Sequence, residues 1–256
     1  MRKTGWFRRF CEWGARRLLG RLHRVTHRMP VELRTVQPGR VLIVAPHIDD
    51  EVIGPGGALA LHKDAGSTIG VVYVSDSAGD SAQTGSASQT AIRKQEAAAC
   101  AKEMGFEIVG YLDFPDGNLS RHEDRIAARL SEIIATWKPT QIICPFLTDH
   151  HRDHEATASA VTLAIRHSGW SGEVWGFEVW STLWPNVVID ITSVVERKKA
   201  GIACHVSQIQ NMSYVEAALG LNRYRGLRVG VPFGEAFYVC SAAEWVKLAS
   251  RLLYRV

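Results

Sequence analysis

Two stretches of this chain gather side chains that could carry acid–base or metal chemistry. The first, Pro46-His47-Ile48-Asp49-Asp50-Glu51, follows the apolar run VLIVA and precedes the small-residue turn Gly54-Pro55-Gly56-Gly57. A histidine crowded with three acids is self-repelling unless a cation sits among them. The plainer alternative is a helix N-terminus, whose dipole tolerates one or two acids. The second stretch, Asp149-His150-His151-Arg152-Asp153-His154, follows the apolar run TQIICPF and holds three of the ten histidines. At the start of a helix, His151 and His154 project from one face. A catalytic zinc takes three nitrogen or oxygen ligands and keeps one position open. His47, Asp50 and His154 can supply such a set without any cysteine.

The elements that must position these residues alternate between strand and helix. RVLIVAP (40–46), TIGVVYVS (68–75), EIVGYLDF (107–114), TQIICPF (140–146) and EVWGFEVW (173–180) read as strands: short apolar runs between turn residues. Helical spacing of apolar residues marks 56–65, 89–104, 121–137 and 154–167. Further helices are expected near 192–204, 213–225 and 242–253, with a strand near 235–240. This order predicts an α/β, Rossmann-like, mostly parallel sheet with helices on both faces. Ligands of such sheets bind beyond the carboxyl ends of the strands, where both clusters fall. The Ser/Gly/Ala-rich stretch 75–90 reads as a loop over that site or as a plain connector.

Composition narrows the class. A chain of 256 residues with 46% hydrophobic and 22% charged content can bury a large single core. Residues 1–30 hold nine Lys or Arg against Glu12 alone, so the net charge of +4 belongs to that segment and the remainder is acidic. The charge therefore gives no reason to expect nucleic-acid binding. Phe7, Cys11, Ala15, Leu18, Leu22 and Val25 recur at three- and four-residue intervals opposite arginines, predicting an amphipathic basic N-terminal helix. It lacks the apolar run of a secretory signal or a membrane span. Trp6, Phe7, Phe10 and Trp13 suit peripheral contact with an anionic membrane; packing on the protein's own body or on a partner is the alternative. The five cysteines form no C-x-x-C pair, so they are expected as small buried hydrophobes in a reducing, cytoplasmic setting.

The two clusters, in this order, resemble the PIG-L or LmbE-like N-acetylglucosaminyl deacetylases. That family's A-H-P-D-D-E-like motif stands here as Ala45-Pro46-His47-Ile48-Asp49-Asp50-Glu51, and its H-x-D-H motif as His151-Arg152-Asp153-His154. Gly56-Gly57, Arg93-x-x-Glu96, Phe114-Pro115-Asp116-Gly117, His205-x-Ser207-Gln208 and Gly234-Glu235-Ala236-Phe237 add to a resemblance over roughly 40–240. Pro46 is inserted, and Ile48 and Arg152 stand where the family often has proline, which alters loop shape but no chemical position. The resemblance implies His47, Asp50 and His154 as ligands of Zn2+, or of another divalent metal such as Fe2+. It implies Asp49 as general base, and His151 as electrophile or acid oriented by Asp153. Arg93 and Asp116 would meet the substrate, a small N-acetylated sugar conjugate, within a deacetylase domain over 38–256.

Other readings stay open. Arg93 could form a surface pair with Glu96, Asp116 could be a turn residue, and His205 and Gln208 could face the pocket or cap a helix. Trp175, Trp180 and Trp184 are expected mainly as core, with a sugar-stacking wall as the alternative. A metal amidase for another acyl or thiol-conjugate amide is the neighbouring function. A nucleotide-binding module is suggested weakly by Gly54-x-Gly56-Gly57, since Leu59 stands where that fingerprint needs glycine. An inactive membrane-associated scaffold is opposed by the retained Asp49, His151 and ligand positions.

Overall fold

The structure, a computed structural model, describes residues 31–79, 86–210 and 212–253. The amphipathic N-terminal segment lies outside them. The described residues form one sheet of strands β1 (Glu32–Arg34), β2 (Arg40–Ala45), β3 (Thr68–Ser75), β4 (Glu107–Phe114), β5 (Gln141–Pro145), β6 (Glu173–Phe177), β7 (Val187–Asp190) and β8 (Gly234–Ser241). Their order is β1-β7-β8-β6-β5-β2-β3-β4. The run from β6 through β5, β2 and β3 to β4 is parallel. β8 runs antiparallel to both β6 and β7, and β1 parallel to β7. The expected α/β class holds, with two antiparallel ladders on one side.

Helices cover the faces: α1 (Asp50–Ile53), α2 (Gly56–Asp64), α3 (Ser86–Met104), α4 (Glu123–Trp137), α5 (Arg152–Ser168), α6 (Val195–Ala203), α7 (Val206–Ile209), α8 (Tyr214–Leu227) and α9 (Ala242–Leu252). α4 shows why the sequence folds this way: Ile126, Ala127, Leu130, Ile134 and Trp137 recur on one face and are buried there. α5 starts at His151, whose ring caps the first turn, and stops at Gly169 in the left-handed region (φ 65). Two cores result, one on each sheet face, around Leu42, Val44 and Ile142 and around Val41, Ile43 and Ile143. Alternate residues of β2 and β5 feed opposite layers, so these central strands read as unbroken apolar runs.

β2 is the pivot. From it the chain steps outward to β3 and β4, then returns to place β5 on β2's other flank. The crevice where strand order reverses opens at the carboxyl ends of β2 and β5, and the two sequence clusters leave the sheet there. Among the described residues, no helix is long and apolar enough to cross a membrane.

The elements differ from expectation at several places, among them the short helices α1 and α7, which were not anticipated. β1 and β7 were not anticipated; at three and four residues they show too little alternation to register. β1 also brings residues before 38 into the sheet. β6 ends at Phe177 rather than 180, because Glu178 turns into a buried ion pair with Arg225. α3 begins at 86, shortening the expected loop, whose centre lies outside the described residues.

Candidate active site

The eight residues to which the resemblance gives metal, catalytic or substrate roles come together at this crevice. His47, Asp49, Asp50, Arg93, Asp116 and His151 line one polar pocket of about 480 Å3. Asp153 and His154 are fully buried in the first turn of α5 behind it.

Asp50 is the hub. Its Oδ2 lies 3.2 Å from His47 Nδ1 and 3.1 Å from His154 Nε2. It also accepts the His47 backbone N–H at 3.0 Å. Neither ring nitrogen of His154 has a hydrogen-bond partner of good geometry, although the ring is buried. The imidazoles of His47, His151 and His154 bring donor atoms within 4.8 Å of one another. Donors around one zinc, bonded at about 2.0–2.1 Å in a tetrahedron, lie roughly 3.3 Å apart. The separations at Asp50 match that spacing, and the unpaired His154 Nε2 is the kind of orphan a cation satisfies. The residues present therefore fit a divalent metal.

The far sides of both histidines are braced by carboxylates, the arrangement that orients metal-binding imidazoles. His47 Nε2 lies 3.1 Å from Asp116 Oδ1 and 3.3 Å from Asp153 Oδ2. His154 Nδ1 lies 3.5 Å from Asp149 Oδ2. Burial disfavours charge on His47, but Asp116, Asp153 and Asp50 outweigh it and hold its pKa well above the ordinary value. At His154 burial is likewise outweighed, by Asp50 and Asp149, and the pKa rises to about 9. Burial opposes ionisation of Asp50 too, yet His154 and His47 hold it far below the usual carboxylate range.

Two carboxylates make contacts that the residue pattern did not indicate. Asp153 does not orient His151 through its carboxylate: Oδ2 turns to His47 and accepts Gly117 N–H at 2.7 Å, while Oδ1 accepts Leu119 N–H at 3.1 Å. It is the backbone N–H of Asp153 that meets His151 Nδ1, at 3.2 Å, as the helix cap. Asp116 has both oxygens engaged, on His47 and on Gly79 N–H at 2.9 Å, so in this arrangement it braces a histidine. Helix capping and the turn at Gly117 decide these orientations, and neither is visible in residue spacing.

Asp49 sits on the rim with φ 137, a conformation L residues avoid. Glu51 holds it there, its Oε2 accepting Asp49 N–H at 2.9 Å. Burial raises the Asp49 carboxyl to about 6, against the pull of Arg93, whose Nη1 lies 3.4 Å from Asp49 Oδ2. Glu96 is not Arg93's partner; it binds Ser207 N–H and Oγ at 2.6 and 2.7 Å. His205 stands at the N-cap of α7 but its ring makes no capping hydrogen bond and reaches Glu51 Oε1 at 3.1 Å, whereas Gln208 lines the pocket. Trp175 is core, 2% exposed, but Trp180 lines the pocket and lies near-parallel to His151 at 6.2 Å, and Trp184 is exposed.

The sequence reading missed three contributors. Asp149 accepts His151 N–H at 3.0 Å and Trp180 N–H at 3.2 Å; its signal was its place at the head of the second cluster. Glu51 was visible as the last acid of the first cluster. Tyr214 had no signal, since it reaches the pocket only through the packing of α8. Cys100 and Cys144 are buried as expected, while Cys204 and Cys240 are only partly so. The amide groups at the start of α2, which a nucleotide phosphate would need, are already taken. Glu235 accepts Gly57 N–H at 2.6 Å and Ala58 N–H at 2.7 Å, and is itself neutralised by Lys198 Nζ at 2.6 Å. The nucleotide-binding alternative therefore falls.

Fold and site together define a Rossmann-like α/β protein with a histidine–carboxylate centre at its topological switch point. Residues 42–165 match the family model PIG-L, described as GlcNAc-PI de-N-acetylase. A relative from Bacillus cereus, named probable N-acetyl-alpha-D-glucosaminyl L-malate deacetylase 2, is 29% identical over 189 residues, 67% of this chain and 84% of its own. The 4-oxalmesaconate hydratase of Pseudomonas putida is 29% identical over 193 residues, 65% of this chain and 73% of that one. The solved N,N'-diacetylchitobiose deacetylase from Pyrococcus horikoshii superposes with a TM-score of 0.70 at 22% identity, over 80% of this chain and 85% of that one. At that identity the likeness concerns the fold.

Proposed function

We propose that this protein is a metal-dependent N-deacetylase that hydrolyses the acetamide of an N-acetylated sugar conjugate to acetate and a free amine. One observation carries the reading: Asp50 Oδ2 sits between His47 Nδ1 and His154 Nε2 on the floor of a pocket whose rim holds Asp49 and His151. His47, Asp50 and His154 would hold a divalent cation, with Zn2+ the first choice for an N/O donor set. When bound, such a cation supplies Lewis acidity, lowering the pKa of water to about 7 and polarising a carbonyl.

The chain's own groups do the rest. Asp49, at about 6, is ionised at neutral pH yet basic enough to take a proton from the attacking water. His151 is kept neutral, its pKa lowered first by burial and then by His47 and His154. Because Nδ1 accepts the Asp153 N–H, the proton of the neutral ring resides on Nε2, where it can donate to the acetamide oxygen as negative charge develops. The proton held by Asp49 is then available to the departing amine. Asp116, Asp153 and Asp149 keep the two metal-facing rings in register. Arg93, with a buried Nε lacking a partner, offers a donor to a substrate oxygen.

Acetate release from a panel of N-acetylhexosamine conjugates, before and after chelation and metal restoration, tests the reading. A second reading, hydration of an unsaturated carboxylate, draws on the hydratase relative and on Arg93 as a carboxylate partner. It predicts no acetate from the panel and water addition to a conjugated diacid instead. The amphipathic segment 1–30 would bring the enzyme to an anionic membrane surface. Its deletion should then leave hydrolysis of a soluble conjugate intact and reduce co-sedimentation with anionic vesicles.

A further inference from the structure

Beside the polar pocket lies a second cavity of about 310 Å3, at the lower end of the range for small-molecule sites, roughly 300–1,000 Å3. The two are neighbours through a shared wall: Ile53, Val179, Trp180 and Tyr214 line both. Their chemistry differs sharply. The catalytic pocket is lined by carboxylates, imidazoles and Arg93. The second is closed by apolar side chains on α8, chiefly Ala217 and Leu221, and among the described residues no Lys, Arg or His lines it.

Its two carboxylates are spent inside the protein. Glu178 accepts Arg225 Nε at 2.7 Å and Leu183 N–H at 2.9 Å. Glu235 is tied to Lys198 and to the start of α2. The cavity therefore presents no free cation to an anionic group and no free anion to a cationic one. One buried polar group in it lacks a partner: Asn222, 5% exposed, has a side-chain oxygen without a hydrogen bond.

We propose, building on the deacetylase reading, that the substrate carries an uncharged apolar arm, alkyl or aryl, which lies in this cavity while the acetamide sits over Asp50. The arm's burial fixes the sugar against the Trp180 wall and makes the enzyme selective for apolar rather than anionic aglycones. Removing one methylene from water contributes about fourfold in binding at ordinary transfer energies. Affinity and kcat/KM should therefore climb steeply with arm length until the cavity is full.

The test compares methyl, butyl and hexyl glycosides of N-acetylglucosamine with the full-length, metal-loaded protein. The hexyl-to-methyl ratio in kcat/KM is expected at roughly 100-fold or more. Ala217→Trp, which fills the cavity from an exposed helix position, and Leu221→Gln, which makes its wall polar, should each collapse that ratio toward one. A second arm measures calorimetric binding of the corresponding glycosides of glucosamine, which cannot be deacetylated. Acetate release with a ratio near one in the wild-type protein overturns the apolar arm and leaves the deacetylase standing. No acetate from any glycoside, with hexyl still binding far more tightly than methyl and losing that advantage in both variants, overturns the deacetylase and leaves the apolar site. Binding independent of arm length overturns the site.

Discussion

The centre built on Asp50 and the cluster built on Glu51 draw on the same side-chain types, one residue apart, yet they are wired differently. Glu51, Cys100 and His205 also bring donor atoms within 4.8 Å, and all are buried. In that sealed cluster Glu51 divides its oxygens between His205 and the backbone of Asp49. In the open one, neither ring nitrogen of His154 makes a well-aligned hydrogen bond to the carboxylate beside it, and the group faces a pocket. Proximity of ligating residues is thus a poor marker of chemistry by itself, and so is an unpaired ring nitrogen, since His205 Nδ1 in the sealed cluster also lacks a partner; the open approach distinguishes a centre that acts from one that positions. His62 gives a third environment, buried against Ser67 Oγ with no carboxylate beside it, and its pKa falls to about 4 where those of His47, His154 and His205 rise.

Substitutions should separate these regions in order of effect. His154→Ala removes a donor from the hub, and should abolish both metal retention and turnover; a full metal complement in the purified variant would remove His154 from the set. Asp49→Asn should keep the metal and lose about 100- to 10,000-fold in kcat, the range for a general base. Turnover near wild type would assign the base elsewhere. Glu51→Gln should also keep the metal and cost about 10- to 100-fold, through loss of the brace on the strained Asp49 backbone. Metal loss in this variant would mean that the sealed cluster is itself a metal site.

Smaller effects follow from titration. Asp49 must be ionised to act, so kcat/KM should fall about tenfold per unit as pH drops below its value of about 6. A bound cation favours the carboxylate, so the limb should lie at or below that value; a limb above pH 7 would contradict the assignment. His62 has a folded pKa below its ordinary 6.5, so the unfolded chain binds a proton the folded chain does not between 6.5 and about 4. Stability should decline across that window as pH falls, by at most roughly 3 kcal/mol. Denaturant melts of His62→Gln should show a shallower decline than wild type; parallel curves would assign the acid sensitivity to other groups.

Much of this was legible from residues alone. The central strands announced themselves as unbroken apolar runs, and the carboxyl-end rule placed both clusters at one crevice before any coordinates. What stayed hidden depended on orientation across long separations. Nothing local says that Asp153 turns toward Gly117 and His47 rather than His151, or that Glu235 closes the start of α2 from 178 residues away. β7 and Tyr214 were missed for a related cause: a four-residue strand and a lone tyrosine acquire meaning only from what packs against them.

The most direct test is a crystal structure of the metal-loaded protein with anomalous data collected at the zinc edge. One peak is expected within about 2.0–2.2 Å of donor atoms of His47, Asp50 and His154. A peak at Glu51, Cys100 and His205 instead, or none at the crevice in fully active protein, would contradict the account.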